Sequence, residues 1–269
     1  MSIFNTIMAL LLILFVGLYV TNFRNINSEV FSAAAAWTRA CIFFCLCFLV
    51  SWLTGTQAMI LAAPIATQPQ MQDLNWIAWT IGLTALIFIV YWGIWARYTI
   101  RFNRKLHLAT QIPFGLLWGA SMGQLFLVIW NGINSIGSTW PQWLIVVMTW
   151  VSLGACFWAW MVFYWDLYVA PEHDSKYSIA LKTVTVHLPQ SLLCITYLTI
   201  YNNFIILIGL QTLALVGASI FMRMPPFWST KPTPAARPHP FLFGLVYAGG
   251  YVSSAPKNDP YLKAAHLPY

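Results

Sequence analysis

Residues 111–132 read QIPFGLLWGASMGQLFLVIWNG, a stretch without a single Lys, Arg, Asp or Glu. A helix rises about 1.5 Å per residue and the hydrocarbon core of a bilayer is about 30 Å thick, so roughly 20 such residues are enough to cross it. Comparable runs fall near residues 4–22, 34–54, 75–96, 141–164, 181–200 and 203–222. Together they predict an all-α fold, a polytopic transmembrane bundle of about seven spans. One helix through both of the last two runs would be roughly 60 Å long, twice the hydrocarbon thickness, so Tyr201-Asn202-Asn203 is read as a tight turn between them. No Lys or Arg precedes the run at 4–22, unlike a secretory signal peptide, and it counts as a span.

The composition agrees with that reading. Of 269 residues, 60% are hydrophobic and only 7% charged, against about 25% charged in ordinary soluble domains. So few charges cannot cover a water-facing surface. The 15 Trp and 12 Tyr suit the headgroup level, where an amphipathic ring finds one dry side and one wet side. Five cysteines, Cys41, Cys45, Cys47, Cys156 and Cys194, sit in apolar runs without metal-ligand spacing and read as small buried hydrophobes.

The formal charge of +7 carries orientation information, with no indication of nucleic acid. With the N-terminus outside, the inner segments hold Arg24 and Arg39, then Arg97, Arg101, Arg104 and Lys105, then Lys176 and Lys182, then Arg223, Lys231, Arg237, Lys257 and Lys263, which is all 13 basic residues. The outer loops carry only Asp73. This partition fits an odd number of spans with the C-terminus inside. It suits a bacterial inner (cytoplasmic) membrane, or an organellar inner membrane of the same polarity.

Within the spans, Gly119 and Gly123 form a GxxxG where another helix can approach closely. Gln124, Gln190 and Gln211 are expected to bond across helices, and Pro113 and Pro189 to bend them. All basic and acidic residues read as lying in loops or at helix ends, which argues against a proton pump, an ion-coupled carrier or a voltage sensor. No internal repeat is visible, which argues against an inverted-repeat transporter. The tetrapeptide Trp95-Ala96-Arg97-Tyr98 is similar to a stretch on the third helix of rhodopsins; the seventh span has no Lys for a retinal Schiff base, and the likeness extends no further.

The densest polar cluster is the third inner loop, with Asp166, Glu172, His173, Asp174 and His187. Carboxylates and imidazoles so close in sequence are candidate ligands for a divalent metal, or acid and base groups for a membrane-bound substrate. A pigment or haem would want His on the spans, and only His107 and His187 come near helix ends. Bound lipid is expected throughout. There is neither a nucleophile elbow nor a Gly-rich phosphate loop.

From Met224 the chain changes character, with Pro-Pro, Thr-Lys-Pro-Thr-Pro and Arg-Pro-His-Pro in succession. This divides a transmembrane domain, 1–223, from a Pro- and aromatic-rich inner tail, 224–269. The apolar stretch Phe241–Tyr247 is too short to span and should lie at the interface or dock on protein. A tail with little core of its own is ordered only when something else holds it. The leading expectation is a structural or assembly subunit of a larger membrane complex, its partners being other membrane subunits and lipids. The alternatives are a membrane enzyme acting on an apolar substrate at the inner face through the 166–187 loop, and a transporter or passive channel for a small neutral solute lined by Gln124, Asn131 and Gln211.

Overall fold

The computed structural model describes residues 33–94, 106–164 and 187–222, with short pieces at 30–31, 184, 224, 226–228 and 233–234. Apart from a two-residue antiparallel pairing of β1 (Val30–Phe31) with β2 (Thr233–Pro234), its regular elements are helices. In chain order they are α1 (Ala33–Leu53), α2 (Thr56–Ala62), α3 (Gln68–Gln72), α4 (Leu74–Ile87, continued by a π-helical segment Phe88–Ile94), α5 (Leu108–Ile136), α6 (Gln142–Tyr164), α7 (Leu188–Tyr201) and α8 (Phe204–Met222).

Three helical stretches, Ala33–Leu53, Leu74–Gly93 and Leu108–Ile136, are long and apolar enough to cross a membrane. This is short of the seven spans expected. The helices α6 and α8 are 23 and 19 residues long, but their described side chains cover shorter apolar windows. With 14 residues, α7 is only about 21 Å long, less than the hydrocarbon thickness. The run at 4–22 lies outside the described residues.

The ends of the helices follow local chemistry. Thr67 and Gln70 form a capping box at α3, with Gln70 Oε1 accepting from the Thr67 amide at 2.9 Å. Asp73 then caps α4 by accepting from the Asn75 amide at 2.9 Å. Asn202 adopts the left-handed conformation, φ 51°, and its amide closes α7 onto the Leu198 carbonyl. Asn203 Oδ1 accepts from the Ile206 amide and so opens α8. The expected turn at Tyr201-Asn202-Asn203 is therefore present. Pro113 lies inside α5, whereas Pro189 occupies the first turn of α7, where a missing N–H leaves no helical bond unmade.

Contact pairs fix the helix directions. Trp37 packs on Phe114 and Phe43 on Trp118, with ring centroids 5.0 and 4.9 Å apart, so α1 and α5 run the same way. Thr80 meets Tyr197 at 3.0 Å and Tyr91 meets His187 at 3.3 Å, so α4 and α7 are antiparallel. Along α5, Gly115, Gly119 and Gly123 face Val216, Thr212 and Ile208 of α8 in descending order. A methyl group on Gly123 would stand 2.8 Å from Ile208 Cα, and on Gly115 or Gly119 it would be closer still to the opposing backbone. The two helices touch main chain to main chain. Beside this seam Phe114, Trp118, Phe126 and Leu127 are almost completely enclosed.

The outward faces are apolar too, with Phe48 and Trp52 on α1, Ile81 and Phe88 on α4, and Trp143 and Val151 on α6 all exposed. Helices that are apolar all round suit a membrane or the interior of a larger assembly.

Two expectations are corrected. Arg39 is neither in a loop nor at a helix end; it stands in the second turn of α1 and is fully buried, because that turn faces α5. Cys41 and Cys45, expected to be buried, are exposed on the outward side of α1, while Cys47 and Cys194 are buried as expected. At the other end of the chain, Met224 joins the core and Phe227 packs against Trp37 with ring centroids 6.1 Å apart. The start of the segment assigned to the tail is thus held by the bundle itself.

Replacing Gly119 by Val should cost about 1–3 kcal/mol in a detergent unfolding titration, because main chain has nowhere to move. Ala at Gly82 or Gly209, where an added methyl would meet nothing within 4 Å, should stay within about 0.5 kcal/mol of the parent.

Candidate functional site

Of the five residues singled out for metal or acid–base chemistry, Asp166, Glu172, His173 and Asp174 lie outside the described residues. His187 is described. It precedes α7, is half-buried, and places Nδ1 3.3 Å from the hydroxyl of Tyr91. Among the described residues no group of three or more His, Cys, Asp or Glu stands close enough to hold a metal ion.

The pair His187 and Tyr91 belongs to a polar seam where α4, α7 and α8 meet. Tyr91, 4% exposed, sits in the π-helical segment. One turn into α7, Gln190 Nε2 donates to Cys194 Sγ at 3.3 Å, and Gln211 Nε2 reaches the same sulfur from α8 at 3.6 Å. Sulfur is a weak acceptor, so these bonds settle two buried amides without adding much strength. The expectation that glutamines bond across helices holds for Gln211. Gln190 bonds within its own helix, and Gln124 Oε1 is buried with no hydrogen-bond partner among the described residues.

The groups expected to line a solute path do not form one hydrogen-bonded row. Asn131 Nδ2 donates to Thr56 Oγ1 at 3.0 Å, at the end of the bundle that carries the 54–73 connection. Thr56 in turn pairs with Thr54 at 2.9 Å. Gln211 is spent on Cys194, and Gln124 lies on α5 with Trp118, Phe126 and Leu127 of the same helix filling the core. His107 is used locally as well, its Nδ1 3.0 Å from Thr110 Oγ1 at the start of α5.

Gly119 and Gly123 lie against Thr212 and Ile208 of α8, and Gly115, against Val216, extends the motif by one step to GxxxGxxxG. That third glycine was missed although its spacing was visible in the sequence. The Tyr91–His187 contact joins residues 96 positions apart and had no local signal. Comparisons with protein-family models, curated proteins and solved structures give no match for this chain.

The burial of the thiols is directly measurable. Treated with N-ethylmaleimide in mild detergent, Cys41 and Cys45 should be alkylated first, and Cys47 and Cys194 only after denaturation, as read by peptide mass spectrometry. Equal labelling of Cys194 in the folded chain would contradict the seam described above.

Proposed function

We propose that the chain is a seven-span integral membrane protein, N-terminus outside and C-terminus inside, that serves as a structural or assembly subunit of a larger complex. The topological part is supported by the helix directions. The connections 54–73, 137–141 and 202–203 join helices at one end of the bundle, and they contain no Lys or Arg. The segments 95–105 and 165–186, and the chain beyond 222, leave from the other end and carry eleven of the 13 basic residues, the exceptions being Arg24 and Arg39. Positive charge is retained on the inner side of bacterial and organellar inner membranes, so that end is the inner one. Trp52 and Trp143, each 65% exposed, mark the outer headgroup level, and Phe227 and Trp228 are exposed at the inner end.

The observation that carries the subunit reading is a filled interior inside an apolar exterior. Trp118, Phe114 and Phe126 pack against helices brought together at glycines, and several interior polar groups, such as Trp92 Nε1 on the Leu213 carbonyl and Trp130 Nε1 on Thr199 Oγ1, are paired one to one. Such a body suits a scaffold better than a conduit. Partners are engaged at the outward apolar faces and at the inner end, where Phe227 and Trp228 are exposed and where the Pro- and aromatic-rich sequence that follows β2 supplies further apolar residues. Lipids fill the rest of the perimeter.

The test is purification from native membrane in mild detergent, followed by mass spectrometry of what stays attached. The full chain is compared with one ending at Pro234, which retains the contacts of Met224, Phe227 and β2. Stable companion subunits that depart on truncation are expected. A chain that runs alone, or keeps the same companions without residues 235–269, overturns the role given to the tail.

A further inference from the structure

We propose that the outer segment 56–74 lies in the boundary of the outer leaflet, with Leu61, Ile65, Met71 and Leu74 entering the acyl region; the inference rests on the membrane reading above. These four side chains are 78%, 69%, 54% and 79% exposed, and Leu74, Leu61 and Ile65 are the three most exposed large hydrophobics among the described residues. They lie on a connection that has no charged residue from Thr54 to Gln72. In water they would form an apolar patch at the end of the protein with nothing to cover it.

Three observations choose lipid as the occupant. First, the connection is pinned, since Asn203 Nδ2 donates to the Ile65 carbonyl at 2.9 Å and Gln70 Nε2 to the Tyr201 carbonyl at 2.8 Å. These bonds hold the main chain at Ile65 and beside Met71, so those two exposed side chains belong to a segment fixed on the bundle. Second, Leu74 is the first member of an exposed stripe along α4, followed by Ala78, Ile81, Ala85 and Phe88. Steps of four and three residues keep one helix face, so the surface that meets acyl chains along α4 reaches its outer end without interruption. Third, Trp52 and Trp143 stand at the same end and set the headgroup level there. Thr67, Gln68, Gln72 and Asn75 are exposed as well and give the segment the polar side that such a position requires. With no basic residue in it, the segment would sense neutral and anionic lipids alike.

Photocrosslinking in native membranes distinguishes the occupants. The photoreactive residue p-benzoylphenylalanine is placed in the full chain at position 61 or 71, at position 81 as the mid-membrane control, and at position 72 as the polar control. After illumination the adducts are identified by mass spectrometry. Phospholipid adducts at 61 and 71 within about twofold of those at 81, and well above those at 72, are expected. Adducts to another protein at 61 and 71 would assign the patch to a partner and overturn the inference, as would lipid yields no higher than at 72. Absence of adducts at 81 to either lipid or a membrane-embedded partner would remove the membrane reading itself, so the two failures are separable.

Discussion

The approach of α5 to α8 sets the spacing for the rest of the bundle. With hydrogens at positions 115, 119 and 123, the backbones meet directly, and α1, α4, α6 and α7 pack around a pair thinner than two ordinary helices. The large rings beside this contact have room because the glycines give it up. Phe114 and Trp118 sit one position before Gly115 and Gly119, so the same turns of α5 that lack side chains toward α8 carry the bulkiest ones toward α1. In a bilayer, where apolar surface gains little by leaving lipid for protein, such close packing supplies much of the reason for helices to associate.

The polar groups play a secondary part that is well distributed. Ser and Thr hydroxyls on the helices turn back to carbonyls one turn earlier, as at Thr84 onto Thr80 and Thr196 onto Leu192. Bonds between helices are spread along the bundle, from the cluster of Thr54, Thr56 and Asn131 at the end that carries the 54–73 connection, through Trp130 on Thr199 and Thr80 with Tyr197, to the seam of Tyr91, His187, Cys194 and Gln211; that seam is the second place where several groups gather. The second place adjoins the π-helical segment Phe88–Ile94, whose wider turns send Tyr91 toward α7 and Trp92 toward the Leu213 carbonyl of α8. Two neighbouring residues thereby tie one helix to two others.

The positions of the helices were legible in the sequence because its apolar runs have abrupt edges. The runs at 34–54, 75–96, 111–132, 141–164 and 203–222 lie within a few residues of α1, α4 with its π extension, α5, α6 and α8. What each helix turns inward was not legible. In a soluble protein the polar face would have revealed it, but here the outward side is as apolar as the inward one. Hence Cys41 and Cys45 point outward while Cys47 points inward, and Arg39 is enclosed, with nothing in the residue types to announce it. The candidate site was legible only as composition. Its acids lie outside the described residues, and its one described member, His187, meets a tyrosine from a helix far away in sequence.

The glycine face of α5 also has a meaning in time. The chain is made from its N-terminus, and the surface that fits Gly115, Gly119 and Gly123 belongs to the last of the helices described. Until α8 has been made, that strip of bare backbone lacks the surface that fits it. The contact between α5 and α8 cannot precede the synthesis of residues 204–222, and a chain stopped before residue 204 has every other described helix but lacks the one that fits the glycine face.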